Sequence, residues 1–339
     1  MNIKEIAKVA KVSTSTVSLV LNSKPGVSVE TRKRILTLLI ENGYEIKSEL
    51  DQQLMTNFLF VRYEGSGKLM ESKDEFFMKI FDGVERQSRC MGINLSVINS
   101  NYESLKSLFS SASMQKVSGI ILFATEFEQE NSNVLLNCKI PMVLIDSSCI
   151  NDPFNSIDVE NISAMFAAVS HLHNLGHKEI GYLHSTQRTG SLPERASGYR
   201  SAMEKLNLSI NPEHVFLLDM FLERACEEML EHLNKSASLP TAFVSDNDVL
   251  AVGVISALKK LGYKIPEDIS VIGFDDAFLC TVVNPKLTTL HIPREKLGQL
   301  AVKRLVEIIE TQDTDVIKIR ICTNLVQRGT TAPPKITSQ

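Results

Sequence analysis

From Asn57 onward, short apolar runs alternate with helix-length amphipathic stretches, and this alternation constrains the fold more than any other feature of the chain. The runs are FLFV (58–61), LSVI (95–98), GIILFA (119–124), PMVLID (141–146), IGYLH (180–184), TAFVS (241–245) and ISVIGF (269–274). Each is strand-length, far short of the ~20 apolar residues that a bilayer-spanning helix requires. Helical patterns fill the intervals, at Glu75–Met91, Tyr102–Gln115, Ile162–Leu175, Glu194–Leu206, Leu222–Asn234 and Asp248–Leu261. Strands joined through helices of this length predict βαβ units and mainly parallel sheets. Two successive runs of such units predict an α/β body of two subdomains, with the break near Ile157–Asn161.

Composition narrows the class. A chain of 339 residues, 43% hydrophobic and 22% charged, is long enough for two or three packed units and too apolar for disorder. The six cysteines are scattered, without a CxxC pair, so the reading is reduced thiols with no disulfide framework. His171 and His173 stand two apart, on different faces of a predicted helix, which argues against a shared zinc. No metal and no cofactor are expected. The first residues are already polar and periodic, not a greasy export signal, so a cytoplasmic location without a membrane partner is expected.

The first 44 residues differ from the rest. They hold seven basic and three acidic residues, a net of +4, so a total of −4 leaves −4 − 4 = −8 on the remainder. A basic segment on an acidic body points to a polyanion met by that segment alone. Ile3, Ile6, Ala7 and Ala10 mark one helical face. A turn follows at KVS, and Ser13 or Thr14 can cap a second short helix. Pro25–Gly26 breaks the chain, and a third helix runs from Ser28 to about Glu41, ended by Gly43. Three short helices, the first two joined by a tight turn, match a helix-turn-helix. A helix lying in a major groove must show small polar side chains to base edges, and the candidates are Thr14, Ser15, Ser18 and Leu19. Candidates for phosphate contact include Lys4, Lys11 and Arg32.

In the body, open parallel sheets bind ligands beyond the carboxyl ends of their strands. Those ends are polar here: Asp74–Glu75, Asp146, Asp246–Asp248 and Asp275–Asp276, with Arg195 and Tyr199 opening a helix nearby. Carboxylates, an Arg and flat rings such as Phe76 and Phe77 suit a neutral polyhydroxylated ligand. GxGxxG and Walker-type loops are absent, as are GxSxG and any metal-ligand set. A hydrolase acting on a small sugar, or a free-standing solute-binding protein, are the competing readings.

The segment IKEIAKVAKVSTSTVSLVLNSKPGVSVETRKRILTLLIENGY resembles the DNA-binding headpiece of the LacI/GalR (lactose-repressor) family of bacterial transcriptional regulators. The body resembles that family's periplasmic-binding-protein-like effector domain through DGVE, GIIL, IPMVLID, HLHNLGHKEIGYL, R-x-x-GY, SDNDVLAVGVISALKKLGYKIPEDISVIGFDD, P-x-LTTL and LVQRGT. The resemblance covers almost the whole chain. It implies a headpiece over 1–44, a hinge or linker over 45–56 and an effector-binding and dimerisation domain over 57–339. Within the last, it implies one subdomain of about 57–158 plus 291–319 and a second of about 159–290 plus 320–331. It also implies double-stranded operator DNA as partner, a homodimer, and a repressor-type regulator tuned by a small effector, a sugar or sugar phosphate or, in some relatives, a purine.

Carried over by position, Thr14, Ser15 and Leu19 fall where the family reads bases. Ser13, Thr16, Ser18, Asn22, Thr31 and Arg32 lie where it touches phosphate or supports that contact. Lys11 stands where the family favours Gly or another small residue, and Leu19 where it often has a basic residue. The hinge departs further: Ile46 and Lys47 replace Pro-Asn, and Gln53, flanked by Leu50 and Leu54, falls at about the position of the family's minor-groove wedge, a role that apolar burial performs better. In the cleft, Phe76 and Phe77 stand in the segment where the family has Asn-Pro-Phe-Phe, and Asp74 and Glu75 replace its Asn-Pro, which disfavours a phosphorylated effector unless a basic group lies opposite. Asp146, Arg195, Asn247 and Asp275 fall where relatives hydrogen-bond the effector. No heptad tail follows residue 331, so a C-terminal coiled coil is not expected.

Overall fold

The computed structural model describes residues 1–335 except 23, 25, 45–55, 66–73, 148, 150, 188–189 and 236–237, together with all side chains of the described residues but those of Val29, Asp74, Ala112 and Ser113. Leu50, Gln53 and Leu54 therefore lie outside the described residues.

Three helices form the N-terminal unit: α1 (Ile3–Val9), α2 (Thr14–Leu21) and α3 (Val29–Glu41). Each start has a local cause. Asn2 and Glu5 form a reciprocal capping box on α1, Ser13 accepts from the Thr16 amide on α2, and Ser28 does the same for Thr31 on α3. Gly43, at φ 79°, closes α3 in the left-handed conformation that releases a glycine from steric penalty. The core is small: Ile6, Ala7, Ala10, Val17, Val20, Ile35, Leu36 and Leu39.

The body contains two six-stranded sheets. The first comprises β1 (Asn57–Tyr63), β2 (Asn94–Ser100), β3 (Gly119–Phe123), β4 (Met142–Ile145), β5 (Asn155–Val159) and β11 (Lys318–Ile321). Its order is β11-β5-β4-β3-β1-β2 and every pairing is parallel, Phe58 for example lying between Leu95 and Gly119. The second comprises β6 (Ile180–Ser185), β7 (Val215–Leu218), β8 (Ala242–Ser245), β9 (Ser270–Asp275), β10 (Thr288–His291) and β12 (Asn324–Val326). Its order is β12-β10-β9-β8-β6-β7, parallel except for the β10–β12 pair. The chain therefore crosses between the sheets three times: after β5, after β10 and after β11.

Helices cover both faces of each sheet, as parallel strands require. Against the first sheet lie α4 (Asp74–Cys90), α5 (Tyr102–Phe109), the short α6 (Asn133–Leu136) and α12 (Arg294–Thr311). Against the second lie α7 (Asn161–Asn174), α8 (Leu192–Lys205), α9 (Leu222–Lys235), α10 (Asp248–Lys260) and the short α11 (Leu279–Val282). Helices α4 and α12 cross almost backbone to backbone. A Cβ on Gly83 would stand 2.0 Å from the Glu295 carbonyl oxygen, and one on Gly298 would stand 2.2 Å from that of Ile80. Both glycines are there because nothing larger fits.

The helix expected over 102–115 is shorter: α5 ends at Phe109, and a 3₁₀ turn follows over Ala112–Lys116. The Ser110 hydroxyl bonds back to the Lys106 carbonyl, the local competition that makes serine a poor helix propagator. Four strands, β5, β10, β11 and β12, carry no apolar run long enough to stand out in the sequence, whereas β7 is built on VFLL, a run as long as the FLFV of β1 that the expected alternation does not include. Among the described residues no helix is long and apolar enough to cross a membrane.

Candidate functional site

On α2, Val17 and Val20 point into the headpiece core, which turns Thr14, Ser15 and Ser18 outward and leaves Leu19 half-buried. Ser13 links two neighbours through its hydroxyl, to Ser15 at 2.6 Å and Thr16 at 2.7 Å. Asn22 closes the helix by donating to the Ser18 carbonyl at 2.8 Å. Thr31 accepts from the Ser28 hydroxyl at 2.9 Å. Lys4 and Lys11 are exposed, whereas Arg32 is buried and donates to the Lys24 carbonyl, which ties α3 to the loop before it. Arg32 is thus placed as a support of that loop. Lys11 occupies the turn with φ 53°, a left-handed conformation that explains why glycine suits the position in the family it resembles.

The second concentration of polar groups lies between the sheets, at the carboxyl ends of the strands. Arg195, in the first turn of α8, is almost wholly buried. Its Nε donates to the Asn161 side-chain oxygen at 3.1 Å, its Nη1 to the Asp246 carbonyl, and its Nη2 to an Asp275 carboxylate oxygen at 3.4 Å. The guanidinium lies 3.6 Å above the Phe274 ring centre. A guanidinium has five N–H donors, so these three contacts orient the fork and leave it donor capacity for a ligand.

Asp246 anchors this arrangement. Its carboxylate accepts from the Tyr182 hydroxyl, from His184 Nδ1 at 2.7 Å and from the Ser185 amide at 2.7 Å. Asn247 caps α10 by accepting the Leu250 amide at 2.9 Å and is buried. Asp248 is wholly enclosed, accepting from Thr289 at 2.6 Å and from the Ala277 amide at 2.8 Å. Burial first, and the nearby Asp275 carboxylate second, push its carboxyl up to about 7. Asp275 and Asp276 both have positive φ, 112° and 57°, and the strained pair turns the chain sharply out of β9.

The first sheet supplies the opposing wall. Asp146, at φ 54° beyond β4, accepts from the Thr125 hydroxyl at 2.7 Å. Gly190, from the second subdomain, packs so closely there that a Cβ would stand 3.1 Å from the Thr125 carbonyl oxygen and 3.4 Å from that of Asp146. Phe76 approaches Phe123, with ring centres 6.3 Å apart. Phe77 is enclosed by Phe60, Phe81 and Phe123, with the Arg62 guanidinium 4.1 Å over its ring, so it backs the wall. Asp74 opens α4, and its side chain lies outside the described ones.

A network that the residue pattern did not single out joins this site to the crossings. The Asn161 amide nitrogen donates to Glu194 at 3.0 Å and to the Val159 carbonyl at 3.1 Å, while its oxygen receives Arg195. Glu194 in turn meets Arg320 at 2.6 Å, and Arg320 also reaches the Val159 carbonyl at 3.3 Å. Asp158, beside the same crossing, is raised to about 6 by burial, against the lowering effect of its bonds from Ser156 and the Ser147 amide. The available signal was the position of Asn161 at the expected break between subdomains.

Known proteins resemble this chain along almost its whole length. A family model described as bacterial regulatory proteins, lacI family, matches residues 2–45, and one described as a periplasmic binding protein-like domain matches residues 169–331. The chain is 32% identical to the HTH-type transcriptional repressor PurR of Pasteurella multocida (strain Pm70) over 333 residues, covering 96% of this chain and 97% of that one. It is 32% identical to the protein of that name from Haemophilus influenzae (strain PittEE), covering 93% of each. Among solved structures, the lac repressor dimer bound to operator and the anti-inducer ONPF superposes with a TM-score of 0.75 at 26% identity, covering 98% of this chain and 99% of that one. The transcriptional regulator CelR in complex with cellobiose shares the fold, with a TM-score of 0.72 at 21% identity, covering 97% and 99%.

Proposed function

The chain belongs to the lacI family of bacterial regulatory proteins and is a DNA-binding transcriptional repressor under small-molecule control, and from that premise we propose how its residues divide the work. The α2 face of Thr14, Ser15, Ser18 and Leu19 reads base edges in a major groove. Lys4 and Lys11 contact phosphate, while Ser13, Thr16, Asn22, Thr31 and Arg32 hold the helices that present them. Two headpieces act together as a homodimer, because a single short helix reaches few bases and a two-fold pair reads a pseudopalindrome. Such work belongs in the cytoplasm. The divisions at 44, 56 and the three sheet crossings follow the same logic, with 45–56 as the hinge that carries Leu50, Gln53 and Leu54.

The effector occupies the space between the sheets, and it is a neutral polyhydroxylated molecule, a sugar. The observation that carries this is the Arg195 fork, oriented by Asn161, the Asp246 carbonyl and Asp275 at the strand ends. Guanidinium and carboxylate groups form strong, directional bonds to adjacent hydroxyls, and Asp146 supplies a second carboxylate from the other wall. Asn247 completes the polar lining, and Phe76, almost buried against Phe123, forms its apolar floor. A purine is the second reading, favoured by that same ring, since a base stacks where a sugar ring packs. Binding shifts the balance between two cleft geometries and so the spacing of the headpieces. The site is a switch: ligand bound there acts on the DNA-binding headpiece that the same chain carries.

A thermal-shift panel of sugars, sugar phosphates and purine bases tests this reading. A ligand should raise the melting temperature with dose, and Asp146→Ala or Arg195→Ala should abolish the rise. A rise that survives both substitutions places the ligand elsewhere. Removing residues 1–44 should abolish salt-sensitive binding to operator DNA.

A further inference from the structure

Glu75 stands on the first subdomain, one residue into α4, and its carboxylate reaches the second. It accepts the backbone amide of Phe278 at 3.0 and 3.3 Å through its two oxygens, and lies 3.8 Å from the Arg294 guanidinium. Phe278 itself is 68% exposed, at the surface of the loop. A carboxylate accepting a backbone N–H is among the stronger kinds of hydrogen bond. The family that the chain resembles carries Pro at the position of Glu75, which has no such acceptor.

The loop that Glu75 grasps is the one that carries Asp275. From Asp275 to Phe278 it is pinned by a succession of side chains. Arg195 donates to Asp275. Arg328 and His291 contact the Asp276 carboxylate at 2.6 and 2.9 Å, and Arg294 donates to its carbonyl at 2.8 Å. Asp248 accepts the Ala277 amide at 2.8 Å, and Glu75 accepts the next one. Arg195, Arg328, His291 and Asp248 belong to the second subdomain, and Arg294 to the start of the segment that returns to the first. Glu75 is the hold that the first subdomain's α4 has on this loop. Two consecutive left-handed residues persist only where surroundings over-determine them, so a hold lost at Phe278 is transmitted to Asp275.

We propose that Glu75 is a positioning residue for the effector cleft: by clasping the Phe278 amide from across the cleft it sets the loop that aims Asp275 at Arg195, and holds the two walls together before any ligand arrives. This rests on the reading of the cleft as the effector site, and it adds a residue whose action needs no effector contact.

The test uses full-length protein without ligand or DNA. Hydrogen exchange should show the Phe278 amide protected in the wild type. Glu75→Ala should speed its exchange at least tenfold, leave the buried strand at 242–245 unchanged, and enlarge the radius of gyration in solution scattering. Glu75→Gln keeps an acceptor oxygen and should restore most of the protection. Exchange at the unprotected rate in the wild type, no change in Glu75→Ala, or a Gln variant that behaves like Ala would each overturn the clasp. Lost protection without expansion would overturn its hold on the walls. Because the readout involves no effector, a failed ligand panel and a failed clasp are separate results.

Discussion

Arg320 and Glu194 meet at 2.6 Å, one on the last strand of the first subdomain and the other on the helix of the second that carries Arg195. Both are shielded, with side chains 26% and 15% exposed. The pair lies beside the crossings that follow β5 and β11, and Asn161 connects it directly to the Arg195 fork. The contact between the subdomains is therefore one residue removed from the Arg195 guanidinium.

Removing one partner of a shielded pair leaves the other desolvated and alone. Arg320→Met should lower stability by about 1–3 kcal/mol in urea unfolding. Adding Glu194→Gln to it should recover part of the loss, giving a coupling energy of about 0.5–3 kcal/mol in the double-mutant cycle. Strictly additive losses would show that the two side chains do not act as a unit.

The crossing of α4 and α12 has no room for a methyl group. Gly83→Ala should cost about 1–3 kcal/mol through overpacking, despite alanine being the better helix former. A melting temperature at or above that of the wild type would mean that the helices are less closely apposed than the structure shows.

Asp248 makes the body's stability depend on pH in an unusual direction. Its carboxyl is raised to about 7 in the folded protein, against ~3.9 in an unfolded chain. Between those values the folded protein keeps a proton that the unfolded chain has released, so this group lowers stability as pH rises from about 4 to about 7 and adds no further slope above. Asp158, raised to about 6, acts in the same sense over a narrower window. Asp248→Asn can still accept the Ala277 amide and donate to the Thr289 hydroxyl. The variant should therefore gain melting temperature over the wild type at pH 8 and lose that advantage towards pH 4, by about 2–4 °C for each kcal/mol relieved. Parallel melting curves at both pH values would contradict the burial argument.

Lys11 combines a strained backbone with an exposed charge, and the two separate by substitution. Lys11→Gly relieves a left-handed penalty of about 1 kcal/mol while loosening the unfolded chain by a similar ~0.5–1 kcal/mol, so headpiece stability should stay nearly constant. The slope of log affinity for operator DNA against log salt should nevertheless fall by about 0.9, one phosphate contact. An unchanged slope, measured by fluorescence anisotropy, would remove Lys11 from the interface.

Headpiece elements were largely visible before folding, because their signals are local. Ser13 and Ser28 cap the helices that they precede, and Val17 and Val20 repeat at helical spacing on the buried side. The long apolar runs GIILF and SVIGF likewise announced β3 and β9, both buried on each face. Strands β11 and β12 gave no such notice. KIRI is half-exposed throughout, and NLV has three residues, one of them exposed. They are strands because partners far along the chain, β5 and β10, offer open edges. Edge pairing of that kind leaves almost no hydropathy trace.

The order of residues thus determined what neighbours in the chain can settle: helix starts and stops, which strands are buried, and which side chains stand at strand ends. It marked Asp146, Arg195, Asn247 and Asp275 as polar groups at one end of the sheets. Only the tertiary structure decided which of them meet. Arg195 draws on Asn161, Asp246 and Asp275, residues separated from it by 34, 51 and 80 positions, and Glu75 reaches Phe278 across 203. Hydrogen bonds act over about 3 Å of space whatever the sequence separation, so contacts of this kind exist only once the sheets are packed and the three crossings have set the walls of the cleft opposite each other.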